Sequence, residues 1–162
     1  ASKIAEVALQ LSETLMHGGK VFLGGDASIQ SLTQHFSDLL LMRKTHSLPP
    51  LPVIALPLAT PVAFLKSLCS ATDALVLFQS MPEFPGLAPL LQIARDHRAK
   101  IIGLTGDFDQ GLSATLLPEE LMIRIPSRSS AFIQSLEHMI FQCVSQQLDH
   151  HLFGAIPVDH DA

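Results

Sequence analysis

The sequence predicts an α/β fold in three layers, α/β/α, built on a five-stranded parallel sheet. Apolar runs of strand length alternate along the chain with segments whose apolar residues recur at spacings of three and four. The run Ala74 to Phe78, ALVLF, is apolar throughout, as expected of a strand covered on both faces.

Each element has its own reason. Ile4, Val7, Ala8, Leu11 and Leu15 fall at helical spacing and predict a first helix, stopped at His17-Gly18-Gly19, where glycine takes the left-handed cap. KVFLG, from Lys20, is a short buried strand, followed by a helix over about Ala27–Met42 with Ile29, Leu32, Phe36, Leu39 and Leu40 on its apolar side. The stretch from Ser47 to Pro61 has too many prolines for a helix interior, but PVIAL, ending at Leu56, is a plausible strand with proline at its start. Thr60 is placed to cap a short helix with Pro61 in its first position, reaching about Cys69. After ALVLF and a proline-rich loop, Leu87 to His97 reads as a helix through Leu90, Leu91 and Ala94. KIIGLTG gives a fourth strand and LMIRIP a fifth. Ser127 to Ser130 can cap a long last helix to His150, with Phe132, Ile133, Leu136, Ile140, Phe141, Val144 and Leu148 as a wide apolar face.

Composition narrows the function classes. At 162 residues and 48% hydrophobic content the chain, 1–162, is expected to form one globular domain. A net charge of -5, with ten Lys and Arg scattered singly, disfavours direct nucleic-acid or anionic-membrane binding. No apolar run has membrane-spanning length, and the charged, amphipathic start of the chain is unlike a signal peptide. The two cysteines, Cys69 and Cys143, form no CxxC pair, which argues against a disulfide framework or structural zinc and suits the cytoplasm.

Lys20 to Phe36 has the strand, glycine pair and helix of a phosphate cradle, although it spells neither G-x-G-x-x-G nor G-x-x-x-x-G-K-[ST]. Together with IIGLTG, Ile123-Arg124-Ile125-Pro126-Ser127, Ile133-Gln134, Leu152-Phe153, Gln34-His35-Phe36 and LPVIAL, it resembles the sugar isomerase (SIS) family, a flavodoxin-like fold. The similarity is to the branch that holds the phosphoheptose isomerases and the DnaA initiator-associating protein DiaA. It covers most of the chain, without the family's extra N-terminal helix and with a shortened segment between Leu56 and Asp73.

The resemblance assigns the site residues. The family's first phosphate loop, a Gly-Asn-Gly-(Gly or Thr)-Ser turn, falls on Gly25-Asp26-Ala27-Ser28-Ile29: Gly25 matches, Asp26 brings an anion, and Ser28 is the one hydroxyl. A carboxylate repels a phosphate dianion and isoleucine offers no donor. The second loop falls on Gln79 to Phe84, where Ser80 keeps a hydroxyl while Pro82 and Pro85 remove backbone donors and Glu83 adds charge. Of the residues the family uses for metal or acid/base chemistry, His35 and Gln134 match, but Leu39 and Gln142 stand where a glutamate and a second histidine are needed, with Asp38 a partial substitute. One histidine does not hold zinc, and neither Leu39 nor Gln142 can act as a base. The resemblance therefore implies a vestigial phosphosugar site at Gly25, Asp26, Ser28, Ser80, Gln134 and His35, with no catalytic residue, metal or cofactor.

Simpler roles are weighed beside these. Asp26 reads as a helix N-cap, His138 with Glu137 as a surface pair, His150 and His151 as solvated residues favourable to the helix dipole, and Asp107 and Asp109 as loop residues. Leu152 and Phe153, placed just beyond the last helix, either fold back on the core or await a partner, and the resemblance favours a partner. Two functions follow as expectations. One is a non-catalytic, DiaA-like protein that associates with DnaA and forms a homodimer or higher homo-oligomer. The other is a phosphosugar-binding protein or isomerase acting on a sugar phosphate such as a heptose 7-phosphate.

Overall fold

A computed structural model describes residues 2–43 and 48–154 of the chain. In order, the elements are α1 (Lys3–Met16), β1 (Val21–Gly25), a 3-10 turn (Ala27–Ile29), α2 (Gln30–Met42), β2 (Val53–Ala55), α3 (Pro61–Leu68) and β3 (Ala74–Gln79). Then come α4 (Leu87–Asp96), β4 (Lys100–Thr105), α5 (Leu112–Thr115), β5 (Leu121–Arg124) and α6 (Ser130–Phe153). The five strands form one parallel sheet in the order β2-β1-β3-β4-β5. The α/β class and the five strands agree with the sequence reading.

Alternation along the strands divides the core. Val21 and Leu23 of β1 with Val76 and Phe78 of β3 face α1, α2 and α6, whereas Phe22, Leu75 and Leu77 face α3 and α4. Every residue of β3 is buried, the physical reason for its unbroken apolar run. On the α1/α2/α6 side, Phe36, Phe78 and Phe141 meet at the centre, with ring centroids 4.3 Å apart for Phe36 and Phe141 and 5.7 Å for Phe78 and Phe141.

The strand order fixes where a site can form. From β1 the chain crosses to β2 on one side and then to β3 on the other, so the loops after β1 and β3 part at a topological switch point. The two strand ends are in direct register, Gly25 opposite Phe78. A Cβ on Gly25 would stand 2.1 Å from Ile29 Cγ2 and 2.5 Å from the Phe78 carbonyl oxygen, so glycine is what allows these loops to touch.

Several expectations are corrected. The last helix continues past His150 to Phe153, so Leu152 and Phe153 form its final turn and do not lie beyond it. Phe132, assigned to the apolar face, is 52% exposed, because the buried stripe runs through Ile133, Glu137, Phe141, Val144 and Leu148. Thr60 and Ser129 precede their helices without a side-chain capping bond, and α5, four residues long, is too short to show a period in the sequence. The proline-rich segment begins at Ser47, outside the described residues.

Truncating the central ring tests this core. Phe141→Ala is expected to lower stability by about 3–5 kcal/mol, read as a lower urea midpoint at unchanged slope. A loss below about 1 kcal/mol would show that the three rings do not carry the core.

Candidate functional site

The loop after β1 opens with Asp26, whose extended backbone (φ -64, ψ 166) precedes the 3-10 turn and makes it the N-cap foreseen from the sequence. Its Oδ1 accepts the Ser28 amide at 3.0 Å and also the Ser28 hydroxyl. Capping accounts for that oxygen alone. Oδ2 reaches across to the loop after β3 and accepts the amides of Ser80 at 2.7 Å and Met81 at 3.1 Å. The Asp26 side chain, 4% exposed, thus fills the space between the two loops and engages backbone amides of both.

The hydroxyls and Gln134 close the arrangement from the helix side. Ser28 gives its proton to Asp26, so Ser80 donates to Ser28 Oγ, 2.8 Å away. Gln134, in the first turns of α6, aims Nε2 at Ser80 Oγ (3.1 Å), Ser28 Oγ (3.3 Å) and Ser130 Oγ (3.3 Å). Gln79 braces the second loop from inside: its Nε2 donates to the Met81 carbonyl at 2.9 Å and its Oε1 accepts the Leu112 amide at 2.8 Å. Gly111 has to lack a side chain here, since its φ is +71 and a Cβ would lie 2.3 Å from Gln79 Oε1. Gly25, Asp26, Ser28, Ser80 and Gln134 therefore lie together.

His35 does not join them. It is exposed on α2 and stacks on His138 of α6, ring centroids 5.5 Å apart and 17° from parallel. His138 lies one turn after Gln134 on the face toward α2 and also meets Phe36, so it is half-buried in an inter-helix contact and is not half of a surface pair. Ser31, His35, Gln134, Ser135, His138 and Met139 line an open groove of about 620 Å³ between the two helices. Asp38 bonds Gln34 at 3.0 Å, on the solvent side. Among the described residues, no three His, Cys, Asp or Glu side chains gather where they could hold a metal ion.

Glu137 overturns its surface reading entirely. It is fully buried in α6 and neither carboxyl oxygen has a hydrogen-bond partner. Burial, reinforced by the Asp26 carboxylate and weakly opposed by the Gln79 backbone, pushes it up to about 9 from 4.5, so it is a neutral acid at pH 7. The sequence did carry a signal for this. Glu137 falls on the stripe Ile133, Phe141, Val144, Leu148, where a surface residue has no place.

The C-terminal end of α6 is a second point of interest. Leu152 packs against the core while Phe153 is 39% exposed, so the pair divides between the two roles weighed for it. Arg43, the left-handed residue after α2, forms a two-pronged ion pair with Asp149 at 2.6 and 3.0 Å and stands 6.0 Å over the Phe153 ring. Its Nε also donates to the Pro49 carbonyl at 3.1 Å. His150 and His151 are exposed in the last turns, as expected. Asp107 and Asp109 lie in a loop but pair with Arg124 and Arg128 at 2.7 and 3.3 Å.

No family model matches the chain. Known proteins do. It is 28% identical to a phosphoheptose isomerase of Methylococcus capsulatus over 91% of this chain and 83% of that one. It is also 28% identical to the DnaA initiator-associating protein DiaA of Escherichia coli, over 93% and 84%. The solved phosphoheptose isomerase of Francisella tularensis superposes with a TM-score of 0.83 at 26% identity, covering 91% of this chain and 85% of that one. That of Neisseria gonorrhoeae gives 0.80 at 18% identity and shows the fold alone. The chain thus has the SIS fold of the phosphoheptose isomerases, with relatives of both kinds across most of its length.

The buried acid predicts a pH dependence. Folded Glu137 keeps its proton up to about pH 9 and the unfolded chain releases it near 4.5. Within that window the unfolded state holds fewer protons, so this group lowers stability as pH rises, by up to about 1.4 kcal/mol per pH unit. Glu137→Gln, neutral throughout, is expected to gain stability relative to wild type between pH 5 and 9 in urea titrations. Parallel pH curves for the two proteins would mean that the acid is ionised in the fold.

Proposed function

We propose that this chain is a non-catalytic SIS-fold protein that acts by protein association, in the manner of DiaA, with DnaA as its partner. The observation that carries the reading is the Asp26 carboxylate, which occupies the amides of both loops where a phosphosugar would need its phosphate held. The chemistry points the same way. Leu39 and Gln142 supply no acid, base or metal ligand, and the two amide protons of Gln134 are shared among three serine hydroxyls within 3.3 Å of Nε2. What α6 does offer is Phe153, a half-exposed aromatic of the kind that anchors protein interfaces, in a last turn tied to α2.

The rest of the reading is an assembly of at least two copies, each a single domain over 1–162, working in the cytoplasm. Phe132 and Met139 on α6, 52% and 60% exposed, give a second copy apolar surface to cover. A reducing compartment suits the free thiols of Cys69 and Cys143. The second reading, a phosphosugar-binding protein or isomerase, is favoured by one observation, the open groove where Gln134 lies beside His35 and His138.

Binding to purified DnaA decides between them. Wild type is expected to bind and Phe153→Ala to lose about 30-fold in affinity, the effect of removing a 2 kcal/mol anchor. No binding by either protein would overturn the DnaA assignment. In parallel, millimolar heptose 7-phosphate and related sugar phosphates are expected to leave the wild-type melting temperature unchanged. A saturable upward shift would instead establish the phosphosugar reading.

A further inference from the structure

We propose that Arg43 is a positioning residue of the association surface: its paired bonds to Asp149 hold the last turn of α6 so that Phe153 meets a partner in one orientation, and partner affinity depends on that pair. The proposal rests on the reading that the chain acts by association through Phe153, and adds to it the group that aims the ring.

The backbone at position 43 gives no reason for an arginine. The residue follows α2 in the left-handed conformation (φ 48, ψ 50), which glycine or asparagine adopts most readily. Among the described residues, Arg98 alone shares a positive φ without being glycine. It is therefore the side chain that accounts for Arg43, and this side chain, 8% exposed, reaches three segments. Nη1 and Nη2 donate to the two oxygens of Asp149 at 3.0 and 2.6 Å, and Nε donates to the Pro49 carbonyl at 3.1 Å. The guanidinium carbon stands 6.0 Å from the centroid of the Phe153 ring.

The pair acts where α6 is least held by its own bonds. The last carbonyls of a helix have no partner within it, and its final turn frays unless tied down. From Gln142 onward, the Arg43–Asp149 pair is the one side-chain hydrogen-bonded link from α6 to another element among the described residues. Asp149 lies four residues before Phe153, one turn back on the same face, so fixing its carboxylate fixes the helix surface that carries the ring. Leu152 packs against the core and seats the helix, but it lies about 100° around the axis from Phe153 and leaves the direction of the ring to Arg43. Arg43 and Asp149 also line a recess of about 180 Å³ with Leu39, Leu40 and Ser145, where either charge alone would be poorly solvated. Since both prongs are engaged within the chain, Arg43 turns one face of the ring inward and leaves the other for an apolar pocket on the partner.

The experiment is a double-mutant cycle between positions 43 and 153, read as affinity for purified DnaA. Arg43→Lys keeps the charge and loses the two-pronged geometry, and Asp149→Asn weakens the pair from the other side, which guards against one variant that does not fold. Each is expected to melt cooperatively and to bind DnaA about tenfold more weakly than wild type, with less than about twofold further loss when Phe153→Ala is already present. Losses that multiply regardless of Phe153 overturn the proposal, because a group that only stabilises the fold acts alike with or without the ring. The free proteins give a second readout. With ring-labelled phenylalanine, the Phe153 NMR signal, identified by its loss in Phe153→Ala, is expected to move toward the position of an unstructured chain in Arg43→Lys. An unmoved signal overturns the proposal. If wild type does not bind DnaA, the DnaA assignment falls, and the Phe153 signal still decides whether Arg43 holds the ring.

Discussion

The carboxylate of Asp26 joins the two loops at the carboxyl edge of the sheet, and the organisation of that edge depends on it. One oxygen finishes the turn that leads into α2, and the other finishes the loop leaving β3. Because β1 and β3 are hydrogen-bonded neighbours in register to Gly25 and Phe78, the loops can meet only there, and only while position 25 has no side chain. Ser28, Ser80 and Gln134 then find partners in each other, which fixes the first turns of α6 over the strand ends.

That interaction shapes the charge of the interior. Two buried carboxyl groups close to one another in a poorly solvated region cannot both ionise at low cost. Asp26 is met by four donors while the oxygens of Glu137 have no side-chain or backbone donor within hydrogen-bond distance, and burial keeps the proton on Glu137. An acid without partners in the middle of a helix face is a poor choice for stability alone. It stands where a leucine would pack, one turn from Ile133 and from Phe141.

Most of the fold was legible because it rests on local pattern. Continuous burial of β3, three-and-four spacing in α1, α2 and α4, and glycines at element ends are written within a few residues of where they act. The cap at Asp26 was legible for the same reason. Its second oxygen was not, because it answers to amides across the sheet that no local period connects to it. Glu137 was misread because its neighbour His138 suggested a polar surface, whereas the stripe from Ile133 to Leu148 showed its depth. The end of α6 was placed short because His150 and His151 look like a terminus, while the helix goes on far enough to bring Phe153 under Arg43.

Arg43 gives that last aromatic a particular physical character. Its side chain is 8% exposed, that of its partner Asp149 13%, and both prongs are engaged, so salt screens the pair far less than it would an ion pair on the surface. A ring resting on such a group faces a fixed positive charge that favours its present orientation before anything touches it. Ordering a free aromatic on contact costs about 0.5–1.5 kcal/mol. Phe153 has met a share of that cost in the folding of the chain, through a residue that begins at the end of α2, is steadied by Pro49 and acts at the end of α6.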